Sequence, residues 1–325
     1  MPAPSTGRDL HVDQPLSNVL LNRRPEGFIA DQLMPLTQVS KQSDMYYRFN
    51  HKEWYRHEGR LTDRAPGTEA RKVHMTVASD TYFARNYALG TDWPVEDEVN
   101  ADEVLRWAES SALFLNDRLM TDWEFRVADI AVNTSNVGTV STVASAWQDR
   151  TNSQPYTDIL NFLDNFRRRT GVRANTLIIP EQVFTRMTDN NQLRDLLFGD
   201  RGGVPTTDDI TRLFSRYGIR RTLSPHSLVN TEAERTDPVS SDAAFADIWG
   251  PHFWLAHINP IEGRDTDTWM NAFRWTNPLF GVPMAVIRHP FDTKKRNFEI
   301  EASYYQDEKV VSPDLCERVT NVVSL

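Results

Sequence analysis

Apolar residues along this chain follow two rhythms, one of three-to-four residues and one of two. Between Val95 and Val137 there is neither proline nor glycine, and Val104, Ala108, Ala112, Leu115, Leu119 and Trp123 recur at intervals of three and four. That spacing places all six on one face of a helix and predicts a single element over about 98–132. At ~1.5 Å per residue it would reach about 50 Å. An ordinary globular helix has ~11–12 residues, so this one reads as a beam. The same rhythm returns in "PYTDILNFLDNFRRRTG", where Ile159, Phe162, Leu163 and Phe166 stand at i, i+3, i+4 and i+7 between Pro155 and a closing Gly171. "NTLIIP" predicts a buried strand, "PEQVFTRMTDNNQLRDLL" one or two short helices, and "IRRTL" another strand. "TTDDITRLFSRYG" predicts a helix with a capping box from Thr206 to Asp209 and a stop at Gly218. Strands alternating with helices make 155 to about 250 an α/β layer.

The two-residue rhythm dominates elsewhere. "MYYRFN" predicts a strand, and "KVHMTVASDTYFARNYAL" predicts a longer one with Val73, Met75, Val77, Phe83, Tyr87 and Leu89 on one face. Between them lies a charged tongue poor in aliphatic residues, and a hairpin this long with no core beneath it is marginal alone. Near the other end, Phe298, Ile300, Ala302 and Tyr304 alternate with Glu299, Glu301 and Ser303, and "KVVSPDLCERVTNVVSL" predicts a strand returning to the α/β layer. The first 44 residues are punctuated by Pro2, Pro4, Pro15, Pro25 and Pro35 around short apolar islands. Such a segment cannot build a core of its own. The expectation is an arm that lies extended over neighbouring chains, as the tongue would.

Charge narrows the function. The chain has 325 residues and a formal net charge of −9, which argues against non-specific nucleic-acid binding. From Lys41 to Lys72, however, eight basic residues face five acidic ones, a local +3. Trp54 and Tyr55 could stack on bases there, but the interleaved acids suit contact with another folded surface better. Cys316 is the single cysteine, so an intrachain disulfide and a Cys-based zinc cage are both excluded, which suits a reducing cytoplasm. The opening "MPAPSTGRDLHVDQ" has no apolar core and reads as neither signal peptide nor anchor. No apolar run approaches the ~20 residues needed to span a bilayer.

Candidate chemistry is sparse. The strand-to-helix turn at Pro180–Glu181 has the shape that carries phosphate in many α/β enzymes. Pro180 removes an N–H, however, and Glu181 puts negative charge where the anion would sit, so the turn reads as a helix start. There is no G-x-G-x-x-G, Walker A or G-x-S-x-G pattern, and the eight histidines include no H-E-x-x-H. The acids of "EDE" at 96–98 and "TDD" at 207–209 suit helix starts. "GRDTDT" beside Trp269 and Trp275 is the one acid-plus-tryptophan cluster that hints at sugar binding. Cys316, far from any histidine, reads as a small packed hydrophobe.

Arm, charged two-stranded loop, long helix, α/β unit and strand-rich return, in that order, resemble the major capsid proteins of tailed bacteriophages, which share the HK97-type fold. The stretches carrying the resemblance are 45–90, 98–132, "ANTLIIPEQVFTRMTDNNQLRDLL" and "DEKVVSPDLCERVTNVV". It implies an α+β, HK97-like fold with an N-terminal arm (1–44), an extended hairpin loop (45–90) and a peripheral domain with the spine helix (91–150). An axial domain (151–250), peripheral strands and axial loops (251–309) and a C-terminal return to the axial domain (310–325) would complete it. It further implies a shell subunit without catalysis, cofactor or metal, forming hexamers and pentamers around double-stranded DNA that it encloses without reading sequence. No membrane is involved; assembly in the host cytoplasm would give the shell of the virion. A separate scaffolding protein and a portal are implied partners, with a decoration protein as an optional one. The expected contacts between subunits are Lys52, Glu53, Trp54, Arg56, Glu58, Arg60, Asp63, Arg64 and Arg71. Some relatives cross-link Lys to Asn with the help of a Glu; Lys52 and Lys72 lie in the tongue, but no motif matches the other two, so that chemistry is not carried over. The alternatives are an encapsulin-like nanocompartment shell and a cytoplasmic carboxylate-dependent hydrolase.

Overall fold

The long helix is the axis on which the other elements are hung. In the computed structural model, which describes residues 11–49, 57, 62–74, 76–100, 106–199, 202–231, 245–259 and 267–324, it runs Trp107–Val132. Its 26 residues span about 39 Å at ~1.5 Å per residue. It ends where the pattern predicts but starts later. Val95–Asn100 forms a separate short helix, and Arg106 caps the long one. In chain order the helices are α1 (Gln14–Asn22), α2 (Ala30–Leu33), α3 (Val95–Asn100) and α4 (Trp107–Val132), followed by α5 (Pro155–Thr170), α6 (Glu181–Thr188), α7 (Asn191–Phe198) and α8 (Thr207–Ser215).

The first half of α4 lies on a six-stranded sheet whose centre is β14 (Asn297–Val310). Strand β5 (Arg85–Pro94) runs antiparallel along one edge of β14 over 297–306. Strands β13 (Met284–Arg288) and β12 (Met270–Trp275) follow one another along the other edge. Ala112, Leu115 and Leu119 of α4 meet Ile300, Ala302 and Tyr304 here, so the predicted alternation of β14 sets its buried face. The second half of α4 turns Val127, Ala128 and Ala131 toward Trp249, Trp254 and Trp269, a core shared with the α/β unit.

Residues 11–39 depart from expectation. They do not lie extended without a core of their own chain. Strand β1 (His11–Val12) pairs with β13, and β2 (Leu36–Val39) pairs in parallel with β12. Leu16 and Leu20 of α1 enter the α4–sheet core, while Ile29, Leu33 and Met34 enter the second one. The apolar islands are too small for a core of their own but have the i, i+4 spacing to complete another. The Asp13 side chain accepts the Leu16 N–H at 3.1 Å to start α1, with Pro15 in its first turn.

The tongue also differs. Strand β3 (Ser43–Phe49) pairs with β4 (Val77–Phe83), from Ser43↔Phe83 to Phe49↔Val77. The single long second strand is broken at Ala84, where the chain leaves this ribbon and joins the sheet as β5. Ala84 is fully buried, and its N–H donates to Gln42 O at 2.8 Å. The predicted apolar face points outward: Val73, Val77, Phe83 and Leu89 are exposed, Tyr87 is half-buried, and Met75 lies outside the described residues. The buried residue is Tyr82, of opposite parity, stacked on Phe273 at 4.7 Å between ring centroids.

The α/β unit contains a five-stranded sheet in the order β6 (Thr139–Thr142), β15 (Cys316–Thr320), β11 (Phe253–Ala256), β7 (Thr176–Ile178), β8 (Arg221–Leu223). The C-terminal strand therefore lies in the interior of this sheet, between β6 and β11. Ile159, Phe162, Leu163 and Phe166 of α5 are buried with Ile210 and Phe214 of α8. Gly171 ends α5 at φ 78°, and the Thr206–Asp209 capping box is formed. Beside this sheet, β9 (Leu228–Asn230) and β10 (Phe245–Asp247) make a separate two-stranded ribbon.

Candidate assembly surface

The perturbed groups in the interior are ties between elements. Glu124, fully buried on α4, accepts the N–H groups of Ile29 and Ala30, the latter at 2.7 Å, and the Nε1–H of Trp249 at 2.6 Å. It thereby supplies from another helix the cap that Ile29 cannot give α2. Burial pushes its carboxyl above the ordinary 4.5, against the three donors that favour the anion. Two residues on, Arg126 bonds Tyr304 Oη and Glu308 at 3.0 Å each, pairs with Asp122, and lies 3.8 Å over the Tyr87 ring. Burial alone would lower this guanidinium, but Tyr304 and Glu308 outweigh it and hold it above its usual value. Tyr304, desolvated, is pushed up to about 12.

The residues considered for chemistry are spent in the same way. Pro180 is the cap of α6, one position earlier than predicted, and Glu181 accepts from Thr185 at 3.2 Å and Ser224 at 3.3 Å. Trp269 is fully buried, donating to Asn136 O at 2.8 Å, and Trp275 donates to Ser40 O at 3.2 Å, so neither forms an open sugar platform. Residues 263–266 of "GRDTDT" lie outside the described residues. Cys316 is buried, which holds its thiol well above its ordinary value. Among the described residues no group of His, Cys, Asp or Glu could hold a metal ion, and no helix is long and apolar enough to cross a membrane.

Among the described residues, apolar surface is also left uncovered. On the β3–β4 ribbon the register puts Met45, Tyr47, Val77 and Phe83 on one face. Met45 and Tyr47 are each 61% exposed and Phe83 54%. A second feature is a groove of ≈ 750 Å³ between β5, α4 and β9, lined by Leu89, Phe125 and Leu228 among others. Contiguous exposed apolar surface of this kind marks contact sites on soluble proteins. Of the nine tongue residues expected at contacts, Lys52, Glu53, Trp54, Arg56, Glu58 and Arg60 lie outside the described residues. Asp63, Arg64 and Arg71 are exposed, and Arg64 Nε donates to Thr68 O at 2.6 Å, tying down the turn around Gly67. The apolar ribbon face went unread as a contact surface because strand parity alone cannot tell core from partner.

An α4-type beam across a β14-centred sheet, joined to an α/β unit and carrying a protruding ribbon, defines the class: the chain has the HK97-type capsid fold. No protein-family model matches it. It is similar to the major capsid protein of Burkholderia phage BcepMu, with 21% identity over 283 residues, covering 85% of this chain and 86% of that one. Among solved structures it is similar to a phage-related protein from Bordetella bronchiseptica RB50, at TM-score 0.71 and 16% identity over 96% of this chain and 98% of that one. It is also similar to the capsid of cyanophage P-SCSP1u, at TM-score 0.60 and 10% identity over 92% and 89%.

Proposed function

We propose that this chain is the major capsid protein of a tailed bacteriophage. It builds the head shell by association with copies of itself and works as structure rather than as a catalyst. The observation that carries this reading is end-to-end correspondence: a capsid fold covers nearly the whole chain, and the BcepMu capsid protein matches it over 85% of its length. The exposed ribbon face fits the role, because a subunit in a closed shell needs surface that only neighbours cover. Individual mixed-charge contacts contribute about 0–1 kcal/mol, apolar patches more, and repetition around the shell makes the sum large.

The finer assignment is hexamers and pentamers enclosing double-stranded DNA in the virion, with assembly in the host cytoplasm assisted by a separate scaffolding protein and a portal. Negative-stain microscopy and sedimentation of the purified chain, alone and coexpressed with its neighbouring head genes, test it. Closed megadalton shells are expected only in the coexpression. Small oligomers under both conditions refute the shell reading, and regular shells from the chain alone refute the scaffold. Shells purified from infected cells should contain DNA, and an enclosed enzyme in its place would favour the nanocompartment alternative.

A further inference from the structure

Three loops meet at one end of the five-stranded sheet. They are the α5–β7 turn, the α8–β8 turn and the segment after β11. Between them is a polar pocket of ≈ 430 Å³, lined by Arg173, Asn175, Ser215, Gly218, Arg220 and His257 among others, with no carboxylate among the described residues of its lining. In a chain where acids outnumber bases 45 to 36, that is unusual. Arginines of the flanking elements have partners: Arg167 and Arg168 of α5 bond Asp164, Arg212 of α8 faces Asp209, and Arg221 of β8 bonds Thr176 and Gln32, while Arg216 lies over the Tyr217 ring. Arg173 and Arg220 have no ion pair or side-chain hydrogen bond among the described residues.

The backbone holds these two arginines in place. His257 Nδ1 donates to Arg173 O at 2.8 Å, and Arg220 N–H donates to Asn175 O at 2.9 Å. Asn175 is itself clamped to the β11 end, donating to Ile258 O at 2.7 Å and accepting from Ile258 N–H at 2.9 Å. Gly218, at φ 110°, leaves room for the Arg173 stem, whose Cδ lies 3.1 Å from where a side-chain carbon at 218 would stand. Two guanidinium forks on loops fixed by backbone hydrogen bonds, with no carboxylate among the described residues around them, suit a tetrahedral oxyanion with several acceptor oxygens.

We propose that this pocket binds a small phosphate-class polyanion, held by Arg173 and Arg220. The ligand is free in solution rather than part of a duplex, because a pocket formed by three loops admits a compact anion more readily than the backbone of a rigid double helix. The inference is independent of the shell reading, since binding is measured on the subunit whatever it assembles into.

The test is isothermal titration of the purified chain with tripolyphosphate, inorganic phosphate and a short DNA duplex at matched phosphate concentration and ionic strength. Saturable binding of tripolyphosphate at one site per chain is expected. Arg173→Gln and Arg220→Gln should each weaken it by about tenfold or more, while Lys294→Gln, on an exposed turn elsewhere, leaves it unchanged. Equal loss in all three variants, or no saturation, overturns the proposal. Duplex binding that is stronger and lost in the two arginine variants overturns the assignment to a free anion. Unchanged far-ultraviolet circular dichroism and melting temperature in each variant keep these outcomes distinct from misfolding.

Discussion

Replacing Glu124 with Gln is a direct test of how the N-terminal segment is held. Ala30 N–H points at Oε2 at 2.7 Å, Trp249 Nε1–H at Oε1 at 2.6 Å, and Ile29 N–H bisects both at 3.1 Å. A carboxylate can accept from both sides, whereas an amide has one oxygen, so its NH2 must face either Ala30 N–H or Trp249 Nε1–H. One buried donor is orphaned and meets another donor. At about 1–3 kcal/mol per orphaned buried donor, plus the loss of charge assistance, the subunit should lose about 2–4 kcal/mol. Glu124→Leu, which orphans all three donors, should lose more. The pH dependence adds a second readout. Because burial raises this carboxyl above 4.5, the folded chain binds its proton more tightly than the unfolded chain does. The stabilisation from that proton is complete below the unfolded value and disappears as pH rises through the folded one. Wild type should show this decline above pH 4.5, and the Gln variant should lack it. Urea unfolding followed by tryptophan fluorescence across that range measures both, and limited proteolysis should show new cleavage between 23 and 35. An unfolding free energy and proteolytic pattern equal to wild type would refute the idea that Glu124 anchors α2 to the long helix.

Tyr47→Asp or Phe83→Asp on the outward ribbon face should abolish shells in coexpression while leaving the subunit's melting temperature within about 1–2 °C, since exposed substitutions change stability by roughly 0.5 kcal/mol or less; sedimentation and calorimetry check the two halves. Charge reversal at Arg56, Arg60 or Arg64 should lower shell yield more than subunit stability, and the reverse outcome would remove the tongue from the contacts. Gly138→Ala would place a carbon 2.7 Å from Asp314 Cα and against Arg169 Nη1. Forcing β6 away from β15 should cost about 1–3 kcal/mol, visible as a lower urea midpoint.

Where local rules decide, the sequence was legible. Gly171, Thr206–Asp209 and the apolar stripe of α5 mark ends and faces that the structure reproduces. So does the alternation of β14, with Ile300, Ala302 and Tyr304 buried. The failures share one cause, a partner distant in sequence. Tyr82 is inward because Phe273 lies beneath it, and nothing between 77 and 89 records that. Leu16, Leu20, Leu33 and Met34 find cores made by residues more than 65 positions later. The break before α4 falls in a run without proline or glycine, so periodicity carried the helix through it. Glu124 gave no signal, being one acid among many on a helix. The arginine pocket needed the fold as well, since Arg173 and Arg220 are 47 positions apart and meet only when β7 and β8 pair.

Strand β14 has a mechanical consequence. It is bound to β5 by an antiparallel ladder from Asn297↔Pro94 to Gln306↔Arg85, and after Val310 the same chain enters the other sheet as β15. A pull along this strand meets the ladder lengthwise, so its hydrogen bonds share the load instead of opening one at a time. Tension arriving from the α/β side is therefore carried through covalent bonds into the widest sheet of the molecule.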